Sequence, residues 1–335
     1  NLTTLDVLVQ ANSLGGNGGI SGAGNGAAGG QAQGGNARLA ISNAATGNLG
    51  TTVIEALAAG GNGSDGLTGL LGGNGGNATG GSASLAVTTA TSTSTSLTMQ
   101  SDGRGGLAGI AAIDGAGNGG SVLISSIGGS ISANSALANA NGDIGSGSGG
   151  LVSVLASADT SGTSGVMNLG LTSLNSDGLD GIAGIVRINN DNGNAAGGVI
   201  QFSQLSASAD GLTSTNPAGG VYIRANQSDI LVTGNANLFA RDSIGIDGVG
   251  QGSVVANGSI FATTGTDIII THSGQPGLVD TVRGTIVSLS ANRNLDAQTG
   301  SIIRGSNFVD AQATNGFANV DSLYATNTSF VAAAT

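Results

Sequence analysis

The chain has no cysteine and no tryptophan, and its eight basic residues are all arginine, so lysine is absent too. Without cysteine there is no disulfide framework and no thiolate metal site. Eight cations against 19 acidic residues leave a net charge of −11, and no basic patch is available to neutralise phosphates, which argues against a nucleic-acid partner. Proline is nearly missing (2 residues) while glycine reaches 64 of 335; without a sustained Gly-X-Y period this excludes collagen. Between Leu14 and Gly35 eleven of 22 residues are glycine, and their irregular spacing argues against a polyglycine-type bundle as well. Charged residues make up only 8% and the apolar runs are regular, which is not the composition of a disordered chain. No run of about 18 apolar residues occurs, so no bilayer-spanning helix is expected. The chain opens on Asn1 without a signal peptide and reads as a mature or excised segment of something longer.

What is present is a repeat of short apolar strands. Val-Tyr-Ile (221–223) returns as Ile-Gly-Ile (244–246) and Ile-Ile-Ile (268–270), steps of 23 and 24 residues. A second series runs Ile-Leu-Val (230–232), Val-Val (254–255) and Leu-Val (278–279). A third runs Leu-Phe (238–239), Ile-Phe (260–261) and Ile-Val (286–287). Three strands per cycle of roughly 23 residues, separated by Gly, Asn, Asp and Ser, predict an all-β parallel β-helix, a β-solenoid whose stacked turns form side-chain ladders. At that length the chain would make about 14 turns and a rod of about 65–70 Å at the usual strand spacing. The 39% apolar content, mostly Ala, Val, Ile and Leu with 2% aromatics, suits a thin continuous core.

The repeat loosens toward the N-terminus. Gly-Gly followed by alternating apolar residues occurs at Gly80-Gly81, Gly119-Gly120, Gly149-Gly150 and Gly219-Gly220, the pattern of half-buried strands. A second motif, Ser-Asp-Gly-x-x-Gly, opens at Ser64, Ser101 and Ser176, close to one and two units of 37, with Ala209-Asp210-Gly211 following. Residues 1–335 therefore read as a single solenoid, Gly-rich with insertions over 1–215 and more regular over 216–335, with no linker between the halves. Helix signals are nearly absent; Val53–Ala59 fits a short helix and a strand equally well.

Gly-Asn-Gly-Gly-Ser-Val-Leu-Ile-Ser-Ser (117–126) with Ser130-Ile131-Ser132-Ala133, and Asn294-Leu295-Asp296-Ala297 with Gly300-Ser301-Ile302-Ile303, resemble the repeats of filamentous-haemagglutinin-like and autotransporter-type bacterial exoproteins. That resemblance implies a right-handed parallel β-helix at the bacterial surface or released from it, serving adhesion, aggregation or biofilm building. It implies as partners further copies of the chain in a filament, or glycans of a host surface or matrix. The secretion domains of that family carry Asn-Pro-Asn turns; here the nearest sequence is Asn292-Arg293-Asn294, without the proline, which points to a shaft segment.

The chemistry-bearing candidates are few. Gly60-Gly61-Asn62-Gly63-Ser64-Asp65-Gly66-Leu67 matches one copy of the calcium-binding nonapeptide, which needs ligands from two adjacent turns. If Ca²⁺ binds, Asp65 stacked with Asp102 or Asp177 on one corner would supply hard oxygen ligands; the competing reading is that Asp-Gly only makes the turn. No other cofactor is indicated. His272, the single histidine, reads as a surface-loop residue. Asp177 and Asp180, three apart, are the kind of pair a polysaccharide-cleaving β-helix would use, but such enzymes line their grooves with aromatics, and this chain has eight aromatic residues in all. Thr88–Ser96 is a Thr/Ser-rich segment with T-x-T character, present in one clear copy, and reads as an exposed hydroxyl-rich strand. The expectation is a non-catalytic extracellular structural or adhesive shaft, with a self-assembling fibre subunit and a carbohydrate-active β-helix enzyme as the competing readings.

Overall fold

The computed structural model describes residues 2–19, 24–67, 70–178, 181–190, 197–211, 219–274, 279–326 and 328–333. Among the described residues there is no helix, and the main sheet assembles 22 strands whose pairings are all parallel. The strands form two stacks. The first contains Leu2–Gln10, Thr46–Glu55, Thr91–Gln100, Ser130–Asn139, Val166–Asn175 and Val199–Ala209, each paired with the next. It continues as the split strands Ile230–Val232 with Ala236–Ala240 and Val254–Ala256 with Ile260–Thr264. Val282–Ala291, the end of Leu295–Ala313, and Thr328–Ala333 complete it. The second stack contains Asn36–Ser42, Ser82–Thr88, Ser121–Ile127, Leu151–Ser157, Ile185–Asn189, Gly220–Asn226, Ser243–Val249 and Asp267–Ser273. Val53–Ala59 is strand, not helix: Thr46–Glu55 ends within it and Ala58–Ala59 pairs with Gly103–Arg104.

The 23-residue cycle is local. Tyr222, Gly245 and Ile269 face one another on successive rungs, so the first sequence series is in register. Further back the cycle lengthens: Thr46 pairs with Thr91, Thr91 with Ser130, Ser130 with Val166, and Val166 with Val199, offsets of 45, 39, 36 and 33 residues. The first stack accordingly has eleven rungs rather than the expected 14, and ten spacings of about 4.8 Å give a ladder of about 50 Å. The third sequence series is shifted. Ile260 pairs with Ala236 and Val287, and Leu238 pairs with Ala262. The second series slips too: Val254 and Val255 pair with Val282 and Arg283 rather than with 278–279, and Leu278 lies outside the described residues.

Between the stacks lies one core running from Ala37 to Ala313. Alternate residues of each strand point into it, as a period of two requires. The second stack contributes β-branched ladders: Val122, Val152, Val186, Val221, Ile244 and Ile268 stand on one another. The first stack solves its packing differently. Its inward column reads Ala138, Leu174, Ala207, Leu238, Ala262, Leu289, Ala311, alternating small and large on every rung. The neighbouring column over the middle rungs is Leu205, Ala236, Ile260, the opposite phase. The checkerboard lets each leucine spread over an alanine above and below, while another column of the same stack, Ile131, Met167, Ile200, Ile230, Val254, Val282 and Ile303, is bulky on every rung.

In the N-terminal coils the chain leaves the first stack, runs outward, turns and comes back before entering the second stack. These excursions, about residues 11–35, 56–81 and 101–120, pile into a glycine wing. Hydrogen bonding in it repeats every third residue. On the outgoing arm Gly60 and Gly63 donate to the carbonyls of Arg104 and Leu107 in the next coil, and Gly61 and Ser64 donate across the wing to Gly30 and Ala27. The third row takes side-chain acceptors: the Asn62 amide donates to Asn17 Oδ1, and the Leu107 amide to Asn62 Oδ1. On the returning arm Gly72, Gly75 and Ala78 donate to Ile110, Ile113 and Ala116, while Gly73 and Gly76 donate to Ser64 and Gly61. A three-residue period with no hydrogen bonds inside an arm and the bonded amides reaching other arms is the pattern of polyproline II-type helices. The bundle that the irregular glycine spacing argued against is therefore present. Glycine is needed only on the rows that face another arm, and the phase restarts at each tip, which scrambles the spacing. The space demands it: a Cβ on Gly61 would lie 2.0 Å from the Gly16 carbonyl oxygen, and one on Gly76 2.0 Å from that of Gly30. The wing gains one residue from the first coil to the second, where Ser13 pairs with Ala58 at 45 and Ala32 with Ala78 at 46, and then shortens. Ala58 pairs with Gly103 at an offset of 45 but Ala78 with Gly117 at 39, a loss of six residues. Gly103 pairs with Gly142 at 39 but Ser121 with Leu151 at 30, a loss of nine.

Candidate functional site

Where the wing leaves the first stack, a trough follows the ladder. Its main part, about 700 Å³, runs between Asn12, Leu57, Asp102, Asn141 and Asp177 on one side and Leu14, Ala59 and Arg104 on the other. A second concavity of about 380 Å³ continues it along the wing, sharing Leu14, Ala59 and Arg104 and reaching Leu107 and Ile144. Size and lining are those of a ligand cleft, an apolar floor with a few fixed polar groups.

The polar wall is one column of the fold. Ser13, Ala58, Gly103 and Gly142 pair in sequence, and Gly142, Gly178 and Gly211 continue through single bridges. The residues just before them are therefore stacked: Asn12, Leu57, Asp102, Asn141, Asp177 and Asp210. Each side-chain oxygen caps the main chain of the rung above. Asn12 Oδ1 accepts from the Leu57 amide (2.9 Å), Asp102 Oδ1 from Asn141 (2.6 Å), Asn141 Oδ1 from Asp177 (2.9 Å) and Asp177 Oδ1 from Asp210 (2.7 Å). Ser208 Oγ donates to Asp177 Oδ1 as well. The serines that precede the aspartates repeat their own bond: Ser101 Oγ donates to the Gly81 carbonyl and Ser176 Oγ to Gly150. The motif is a corner cap, and its members stack at 101, 176 and 209. Ser64 is not part of that column; it sits in the wing, donating to the Gly19 carbonyl.

The three candidate calcium ligands separate accordingly. Asp102 and Asp177 share the column with Asn141 between them, two rungs or about 9.6 Å apart. Asp65 lies in the wing, where its Oδ1 accepts from the Ile110 amide (3.0 Å). An ion held at 2.3–2.6 Å by six to eight oxygens needs them closer together than that. Among the described residues no three His, Cys, Asp or Glu side chains gather. Asp180 lies outside the described residues. Burial, reinforced by the charge of Asp143, raises the Asp102 pKa, against the pull of the Asn141 amide. Arg104 lies beside Asp143 (3.8 Å, both solvated), so the trough carries more negative than positive charge.

His272 is a correction. It is buried, on the inward face that Ile268 and Ile270 also use, instead of in a surface loop. Its Nε2 reaches the Gly250 carbonyl (3.2 Å) and its Nδ1 the Thr281 hydroxyl (3.1 Å), whose oxygen also accepts from the Ile302 amide. With Nε2 protonated every partner is satisfied, which makes it a tie between coils. The Thr/Ser segment turns at Thr89 and continues as Thr91–Gln100; Thr91 and Thr93 lie between Thr46 and Asn48 below and Ser130 and Ser132 above. Its outer face is hydroxyl- and amide-rich, without a second T-x-T strand beside it.

No family model, no curated protein and no solved structure matches this chain.

Proposed function

We propose that the chain is a right-handed β-helical shaft of an extracellular bacterial protein of the filamentous-haemagglutinin-like kind, structural or adhesive, working mechanically and without catalysis. The observation that carries the reading is the unbroken ladder. Eleven rungs are joined by main-chain hydrogen bonds along the rod and share one aliphatic core, so a pull is spread over many parallel bonds. The outward side chains are mostly short hydroxyls and amides that tolerate water and protease-rich surroundings without long flexible charges. The trough along the wing base gives an adhesive shaft a place to hold an extended ligand.

The test is immunogold electron microscopy of the producing cells, combined with assays of the purified rods on soluble polysaccharides. Label on the outer surface or in released fibres, without turnover, is the expected result. Label confined to the cytoplasm overturns the reading. A fibre subunit is the second reading, favoured by the aliphatics displayed on the wing: Leu14, Ile110 and Ile113 are 84%, 68% and 74% exposed. Concentration-dependent assembly of purified rods into filaments would put it first.

A further inference from the structure

On the outer face of the second stack the rod collects a set of side chains found together nowhere else among the described residues. One outward column reads Arg187, Tyr222, Gly245, Ile269 on successive rungs, and the next reads Asn189, Arg224, Asp247, Thr271. Rungs are about 4.8 Å apart and columns about 7 Å, so the eight positions cover an area suited to one or two sugar rings. They line a shallow groove of about 430 Å³.

The tyrosine lies flat. A Cβ on Gly245 would stand 2.9 Å from Tyr222 Cδ1, and one on Gly220 3.2 Å from the Tyr222 hydroxyl oxygen. The ring therefore crosses the strands over two glycines, one face on the main chain and the other turned outward. Ile269, also exposed, extends the apolar plate by one more rung. Beside it the polar column is pre-set: Arg224 lies 3.5 Å from Asp247, and Thr271 Oγ1 donates to Asp247 Oδ1 at 2.7 Å. Below the plate Arg187 is exposed and forms no ion pair among the described residues. Among the eight positions two arginines stand against one aspartate, with the charge of Asp242 also reaching Tyr222, on a chain whose net charge is −11.

We infer that this face binds a carboxylate-bearing sugar ring of a glycan, stacked on Tyr222 with its carboxylate against Arg187 and its hydroxyls along Arg224, Asp247 and Thr271. A pyranose offers an apolar C–H face of about the area of a tyrosine ring, and a planar guanidinium is the side chain that matches a carboxylate with two parallel bonds. A single excess cation suits one isolated carboxylate, and the acidic rod around it repels a polyphosphate chain. The inference deepens the adhesive reading and rests on it for its biological sense, since it names what the shaft would hold.

The probes are sialyllactose, which carries one carboxylate, and neutral lactose, titrated into the full chain by calorimetry, with product formation followed in parallel. The acidic sugar should bind about tenfold more tightly than the neutral one, and that preference should shrink in high salt. Arg187→Gln, a surface change that touches no core residue, should abolish the preference, and Tyr222→Ala should weaken both sugars by up to about tenfold. Tyr222→Phe, which keeps the ring, should retain most of the binding and guards against a misfolded alanine variant. Absence of acidic-sugar binding by the native chain, or unchanged binding in Arg187→Gln, overturns the site and leaves the shaft standing. Binding followed by cleavage supports the site and overturns the non-catalytic shaft.

Discussion

The wing of the first three coils and the regular coils between Gly220 and Ser273 are held together by opposite means. In the regular coils, side chains do the packing: Val221, Ile244 and Ile268 stack, and Leu238 alternates with Ala262, all away from water. In the wing the side chain has been removed instead, and main chain rests on main chain, with Gly61, Gly76 and Gly106 close enough to neighbouring carbonyls that a methyl group has no room. The first solution draws its stability from apolar area; the second relies on amide-to-carbonyl bonds between arms in a region with little apolar area to bury. One chain therefore shows that a solenoid can be extended sideways with only a small alanine cluster, Ala32, Ala58 and Ala78, as its second core, the rest being held by hydrogen bonds between arms.

The comparison can be broken at either side. Leu238→Ala removes a large member of the checkerboard between two alanines that cannot fill the gap, and should cost about 3–5 kcal/mol, read from the urea midpoint. Gly76→Ala should cost roughly 2–3 kcal/mol. Its damage should stay in the wing, where hydrogen exchange of the Gly61 and Gly106 amides accelerates while the strand Val282–Ala291 keeps its protection. Gly16→Ala is the control: an added Cβ there meets nothing within 4 Å, so the variant should match the native protein or gain slightly. Equal damage from Gly16→Ala and Gly76→Ala would refute close backbone packing as the wing's organising force.

The smallest effects separate the two regions by pH. Asp267, in the regular half, has its pKa lowered, first by the side-chain hydrogen bond from Arg293, against the opposing effect of burial. Its contribution is complete above the unfolded value near 3.9 and is lost as pH falls through the lower folded value. Asp267→Asn should therefore melt below the native protein at pH 7, with the gap closing in acid. Asp102, at the wing base, has a raised pKa, so the folded state disfavours its charge. The stability available below about 3.9 is lost as pH rises through the folded value. Asp102→Asn keeps an acceptor for the Asn141 amide, as Asn12 and Asn141 do in the same column, and should melt above the native protein at pH 7 but level with it at pH 3. Each shift should be on the order of 1–2 °C. Shifts of the same sign would show that the two corners are not electrostatically distinct.

These contrasts also mark how far the sequence could be read. The column Tyr222, Gly245, Ile269 was legible because its neighbours are β-branched on every rung. The column of Leu238 was not, because its bulky residues alternate with alanine while the adjacent column alternates in the opposite phase. Aligning large with large, Leu238 with Ile260, then steps onto the wrong column. His272 was readable in principle, since it continues the inward alternation of Ile268 and Ile270. The wing carried its own signal in the triplets Gly15-Gly16-Asn17, Gly60-Gly61-Asn62, Gly72-Gly73-Asn74 and Gly75-Gly76-Asn77, whose members hold three different bonding rows. At the candidate trough, Asp102 and Asp177 were singled out from their shared motif, but motif spacing cannot tell one column from another, and only the register removes Asp65. Tyr222 could not have been chosen from sequence, because its neighbours Arg187 and Asp247 are 35 and 25 positions away.

The threefold arms have a consequence for how such a chain can change length over generations. Each residue added to an arm turns everything beyond it by about 120°. A single insertion before Asn74 would swing that asparagine toward the opposite arm, onto a row that only glycine can occupy. Three residues restore the phase and move the tip by about 9 Å. The two shortenings, by six and by nine residues, keep that phase, and the one change that does not, a gain of one residue from the first coil to the second, falls between the arms. Along each arm the wing behaves as a text with a reading frame of three amino acids, and the stretch between the arms is where a single letter can be gained.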